Sequence, residues 1–202
     1  QSMNVLAAFL LLHLEEEEAF WVLAAMVGPA TPPPPGAGPG ARPAGGLLPR
    51  YYRPDLVGVR IDQRVFELMA EDRLPLLVAR LKELGVSIPL ISIKWFMCLY
   101  VNLLPAPVAR QAWDGFFWFG PRVLFEVGLE LLRRARAPLL AGACDATEVM
   151  DHITAAAGAT TGALLEAAHG GTFLLGTGTR DRFADSTTAC LTIFLWIFMI
   201  FL

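Results

Sequence analysis

An all-α fold is the class this sequence predicts, and three observations predict it. Apolar residues recur at helical spacing: Ile61, Val65, Leu68 and Met69 follow i, i+4, i+7, i+8, and Leu124, Val127, Leu131 and Leu132 repeat it. No stretch sustains the period-2 alternation, punctuated by Asn-Gly-type turns, that strands need. Prolines fall where helices start: Pro75, Pro89, Pro107 and Pro121 each open an apolar-periodic run, where a missing N–H costs little.

In chain order, the spacing predicts helices near 1–13, 15–27, 56–72, 75–84, 88–103, 107–118, 121–136, 146–157 and 161–169. The first is apolar from Val5 to Leu12. Glu15–Glu18 give the next an acidic first turn, favoured by the helix dipole and facing solvent. Residues 28–46 (GPATPPPPGAGPGARPAGG) are nearly all Pro, Gly and Ala, which bury too little to offset chain entropy. They are expected to form a disordered loop between helices. In the helices near 56–72 and 121–136 the apolar stripes face a core. Asp62, Glu67 and Glu71, or Glu126 and Arg133, lie opposite. Ser87 is the expected N-cap of the 88–103 segment. Lys94 and Asn102 mark that apolar segment as a core helix, not a membrane span. Gly176-Thr177-Gly178 lacks the G-K-[ST] of a phosphate loop and reads as plain loop.

The domain reading is 1–169 for the helical part, 170–185 as linker and 186–202 as an apolar tail. From Ser186 the chain ends on 17 uncharged residues. As a helix these span about 26 Å, just short of a bilayer core of about 30 Å. Two readings stand for the tail: a C-terminal membrane anchor, or a sequence artefact (translated intron or a frame error), which its abrupt change of character permits.

Composition narrows the function classes. A net charge of -3 makes no electrostatic case for nucleic acid. The chain is 55% hydrophobic with mean hydropathy +0.51, but Asp and Arg interspersed along the helices exclude multiple spans. Cys98, Cys144 and Cys190 are far apart with no C-x-x-C, and His13, His152 and His169 converge on nothing, so no metal site is expected. No Ser/His/Asp set or carboxylate pair stands out by spacing.

The order of short segments says more. Gln1-Ser2-Met3-Asn4 resembles the Q-G-M-N element of Rab-GAP TBC domains. Glu17-Glu18-Ala19-Phe20-Trp21, Leu48-Pro49-Arg50-Tyr51-Tyr52 and Ile61-Asp62-Gln63-Arg64-Val65-Phe66 follow in that family's order. Leu84-Gly85-Val86, Trp95-Phe96 and Leu104-Pro105 come next. Arg110-Gln111-Ala112-Trp113-Asp114, with Gly120 and Val123-Leu124-Phe125, is similar to the family's R-x-W-D…G…V-L-F run and is the most specific piece. The resemblance runs from Gln1 to about Leu140. It departs at Ser2, where the family usually has Gly, a tolerable change if that backbone is plainly helical, and at the 28–46 insert, which should loop out.

The resemblance implies a multi-helix TBC-type domain, represented by its C-terminal two-thirds, that activates GTP hydrolysis on a Rab-family small GTPase. It implies no cofactor of its own, GTP and Mg belonging to the partner, and a cytoplasmic place at endomembranes; the anchor reading of 186–202 rests on the apolar tail alone. TBC domains supply an arginine, from I-x-x-D-x-x-R, and a glutamine, from Y-x-Q, in trans. Gln1 matches that glutamine as the catalytic residue. The arginine element is expected upstream, since Ile61-Asp62-Gln63-Arg64 has the wrong spacing. Asn4, one turn on, is the candidate support for the local backbone. Asp62, Arg64, Trp113 and Asp114 are candidates for fold ties or partner contacts. A non-catalytic Rab-binding scaffold and a tail-anchored membrane protein are the alternative readings.

Overall fold

The computed structural model describes residues 2–28, 46–48, 50–141 and 144–159, and these contain eight α-helices and no strand. They fall into two units, within Gln1–Gly58 and within Val59–Leu174. The expected helix at 161–169, the 170–185 linker, the 186–202 tail and positions 29–45 of the insert lie outside the described residues. Among the described residues no helix is long and apolar enough to cross a membrane.

In the first unit, α1 (Met3–Leu11) and α2 (Glu16–Val27) pack on each other through a short turn. Leu6, Phe9 and Leu10 on α1, and Ala19, Val22 and Met26 on α2, are buried. The acidic start of α2 does more than complement the dipole: the Glu18 carboxylate accepts the Glu15 N–H at 3.2 Å, satisfying a donor the helix leaves open. At its other end, Gly28 N–H donates to Ala24 and Gly46 N–H to Ala25. Both ends of the 28–46 segment are therefore fastened to neighbouring carbonyls of one helical turn.

In the second unit, α3 (Val57–Arg73) corrects the sequence reading. Its buried face is Val59, Gln63, Phe66 and Ala70, while Ile61, Val65 and Leu68 are 57%, 42% and 49% exposed. The two stripes are offset by two residues, about 200° around a helix of 3.6 residues per turn, so the expected face is the opposite one. A glutamine and an alanine in the buried stripe made it look less apolar than its rival.

Helix α4 (Pro75–Glu83) ends in a Schellman motif: Val86 N–H bonds to Leu81 O and Gly85 N–H to Lys82 O. Gly85 takes the left-handed turn (φ 72°) that this ending requires, which accounts for Leu84-Gly85-Val86. Helix α5 (Ile88–Met97) is shorter than the predicted 88–103 because it ends the same way. Tyr100 N–H bonds to Trp95 O and Leu99 N–H to Phe96 O, with Leu99 and Tyr100 left-handed at φ 45° and 63°. No glycine announces this ending, so the sequence conceals it. Ser87 stands at the N-cap as expected, but its side chain makes no capping bond.

The prolines open helices as read: Pro75 begins α4, Pro89 and Pro107 are the second residues of α5 and α6 (Ala106–Phe119), and Pro121 caps α7 (Arg122–Leu140). Helix α7 runs past the predicted 136 and through Pro138, drawn on by Leu139, which is fully buried. It packs on α4, α5, α6 and α8 (Glu148–Gly158), and its stripe of Leu124, Val127, Leu131 and Leu132 is buried as predicted.

Aromatic rings fill the space between α3, α5 and α7. Phe96 stacks edge-on against Phe66 and Phe125 with ring centres 5.4 Å apart in each pair. Such contacts add about 0.5–1.5 kcal/mol each beyond their buried area. Helix α7 approaches this cluster at Gly128, where a Cβ would stand 2.7 Å from the Tyr100 hydroxyl and 2.8 Å from the Phe66 ring.

Candidate functional site

The residue expected to act, Gln1, lies outside the described residues. Its neighbours are described. Ser2 caps α1 with φ 67° and ψ −11°, a left-handed conformation, and its carbonyl accepts the Val5 N–H at 3.1 Å. This corrects the expectation of a plainly helical backbone: the position where the family usually has glycine demands what glycine does most easily. The serine side chain makes no capping bond that would offset the strain. Asn4 is exposed in the first turn of α1. Leu6, Phe9 and Leu10 anchor the helix from its other face.

On α3, Arg64 does not turn to Asp62. It forms a solvent-exposed pair with Glu67, three residues on, because residues two apart on a helix do not face each other. Such a pair is worth little. Asp62 is half-buried. The structural work of this motif falls on Gln63, which sequence reasoning did not single out. Its side-chain amide is buried and donates to Pro89 O at 2.8 Å, tying α3 to the first turn of α5.

On α6, Trp113 is buried and its indole N–H donates to Leu99 O at 3.0 Å. It clamps the strained turn that ends α5, while Tyr100 O–H donates to Leu124 O on α7 at 2.6 Å. Trp113 is therefore a fold tie. Asp114, next to it, is half-buried. Burial pushes its carboxyl up to about 6, against the pull of Arg110 one turn earlier. A second acid, Glu130 on α7, is 4% exposed and accepts from both Arg133 and Arg134 at 2.6–2.8 Å. Burial pushes this carboxyl up, but the two guanidiniums outweigh it and hold it below the usual carboxylate range.

The expectation that the histidines converge on nothing is corrected at His152. Cys144, Glu148 and His152 bring a thiol sulfur, a carboxylate oxygen and a ring nitrogen within 4.8 Å of one another. Cys144 is buried, Glu148 exposed and His152 between. Burial, and then the Glu148 and Asp145 carboxylates, push the Cys144 thiol up, with Arg80 opposing. The signal was present as Cys-x3-Glu-x3-His running into a helix, a spacing that repeats at one turn.

Known proteins place this architecture. The sequence profile of the Rab-GTPase-TBC domain matches residues 1–140. Human growth hormone-regulated TBC protein 1 is 34% identical over 152 residues, covering 75% of this chain and 39% of that protein. Mouse carabin is 36% identical over 135 residues, covering 67% of this chain and 27% of carabin. The crystal structure of the Chlamydomonas flagellar RabGAP TBC domain superposes with a TM-score of 0.62 at 26% identity, over 83% of this chain and 51% of that one. The chain thus spans well under half the length of these curated relatives.

Proposed function

The chain belongs to the Rab-GTPase-TBC domain family, and from that premise we propose that it is part of a GTPase-activating protein acting on a Rab-type small GTPase. One observation carries this reading: the family match over residues 1–140 takes in Gln1-Ser2-Met3-Asn4, which leads into α1.

Gln1 is the residue we assign to the chemistry. A carboxamide donates from its nitrogen and accepts at its oxygen, so it can aim a water at the γ-phosphate. The family's arginine, from an I-x-x-D-x-x-R element, neutralises charge spreading over the transferred group, worth roughly 10³–10⁵ in rate. Hydrolysis takes place on the partner, which brings GTP and Mg, and the chain needs no cofactor for it. Asn4, exposed one turn on, supports the same surface. A cytoplasmic place at endomembranes, with contact through 186–202, belongs to the same reading.

The test is single-turnover GTP hydrolysis across a panel of Rab proteins, using the longest natural form that carries an I-x-x-D-x-x-R element ahead of Gln1. Gln1→Ala should cut stimulated hydrolysis by well over tenfold, more than about 1.4 kcal/mol of barrier, with the melting midpoint unchanged. Full stimulation by the variant would overturn the assignment.

A further inference from the structure

We propose that Cys144, Glu148 and His152 form a binding site for a zinc-class divalent cation, which clips the start of α8 to the segment that precedes it. Glu148 and His152 are one turn apart on α8 and project from the same face. Cys144 stands four residues before Glu148. Their ligand atoms lie within 4.8 Å of one another. Three ligands of a tetrahedral zinc, at roughly 2.0–2.3 Å from the metal, sit about 3.3–3.8 Å apart, so small side-chain rotations close the site.

Two of the three ligands are already held from outside. Asp145 is the true cap of α8: its carboxylate accepts the N–H groups of Thr147 and Glu148 at 2.8 and 3.0 Å. In return one Glu148 carboxylate oxygen accepts the Asp145 N–H at 3.0 Å. That reciprocal pair fixes the Glu148 rotamer and leaves the other carboxylate oxygen for a cation, as an outer-shell partner does in a metal site. Arg80 on α4 donates to the Cys144 carbonyl at 3.4 Å, fixing the backbone that carries the thiol. Capping alone explains Glu148. It does not explain why a buried thiol and an imidazole meet the same carboxylate.

The donor set selects the metal. A thiolate, an imidazole and one carboxylate suit zinc, whereas magnesium and calcium want oxygen ligands throughout. Thiolate and carboxylate together neutralise a divalent cation. On binding, the Cys144 thiol releases its proton to solvent and its sulfur lone pair forms the metal bond, while His152 binds as neutral imidazole. The fourth position falls to water, because the site is buried at sulfur and open at the carboxylate. A cation there stabilises the folded chain without touching the GTPase chemistry.

The experiment uses the full 202-residue chain, stripped with EDTA and titrated with zinc against a chromogenic chelator, then with cobalt(II) to read thiolate-to-metal absorption. One equivalent should bind, raise the melting midpoint by several degrees and show the cobalt–thiolate band. Cys144→Ser, Glu148→Gln and His152→Gln should each weaken binding at least tenfold. Cys98→Ser and Cys190→Ser should leave it intact. Since His152 and Glu148 are not core residues, their variants remain informative if Cys144→Ser misfolds. Absence of stoichiometric binding, binding that survives His152→Gln, a cobalt band that follows Cys98 or Cys190, or equal binding of magnesium would each overturn the proposal.

Discussion

Ser2 sits left-handed at φ 67° in the residue that follows Gln1. That conformation costs a non-glycine residue about 1–2 kcal/mol, while glycine gives back about 0.5–1 kcal/mol in chain entropy. Ser2→Gly should therefore stabilise by roughly 0.5–1 kcal/mol, raising the melting midpoint by about 1–3 °C. A drop on calorimetry would mean that the serine hydroxyl holds the turn. Asp114 makes a second residue-scale case, through pH. Its folded carboxyl lies at about 6, above the usual carboxylate range near 4, so the folded state binds the proton more tightly than the unfolded chain. The sign follows: this group's contribution is fully present below about pH 4 and is lost as pH rises through 6. Asp114→Asn should flatten the difference in melting midpoint between pH 4 and 7 and leave the variant at least as stable as the parent at neutral pH. An unchanged pH profile would place the carboxyl in solvent.

At the scale of helices, most existence and order could be read from the sequence, and the errors concern which face of α3 turns inward and where α5 and α7 end. Helix α7 was legible because leucine and valine dominate its buried face, with Leu124, Val127, Leu131 and Leu132 at helical spacing. Helix α3 was not, because Gln63 and Ala70 occupy its inward stripe while Ile61, Val65 and Leu68 occupy the outward one. Periodicity weighs hydrophobicity alone; it has no entry for an amide that is buried because a proline carbonyl on α5 accepts from it. The early end of α5 was hidden for a similar reason, since Leu99 takes the place a glycine would advertise. Close approach also escapes a pattern of apolar residues. Gly128 lets α7 pass Tyr100 and Phe66, both fully buried and unable to withdraw. Gly128→Ala should therefore destabilise by about 1–3 kcal/mol through overpacking, despite alanine's better helix propensity. Pairing it with Tyr100→Phe removes the nearest atom, so the double variant should lose less than the two single changes summed. Strict additivity in urea melts would show that α7 shifts instead.

For the chain as a whole, the order of motifs carried what no single spacing did, and the family profile over 1–140 rests on that order. The assignment of Gln1 rests on resemblance alone, because a lone glutamine has no spacing signature. The Cys144 cluster was missed although its spacing was in view, because one cysteine, one glutamate and one histidine match no familiar metal motif. The 28–46 segment poses the remaining question for the whole chain: what seventeen residues between Gly28 and Gly46 contribute to its stability. Both glycines bond to adjacent carbonyls at the end of α2, so the chain leaves and returns within one helical turn. Loop-closure entropy grows only with the logarithm of length, about 0.6 kcal/mol per doubling. Replacing residues 29–45 with four Gly/Ser residues shortens the connection about fourfold, which should stabilise by roughly 1 kcal/mol if those residues bury nothing. The melting midpoint of the full chain should accordingly stay level or rise by a few degrees, with the helical circular dichroism signal unchanged. A fall of several degrees would show that the segment packs against the domain, and that it is a structural part of the domain rather than an insertion.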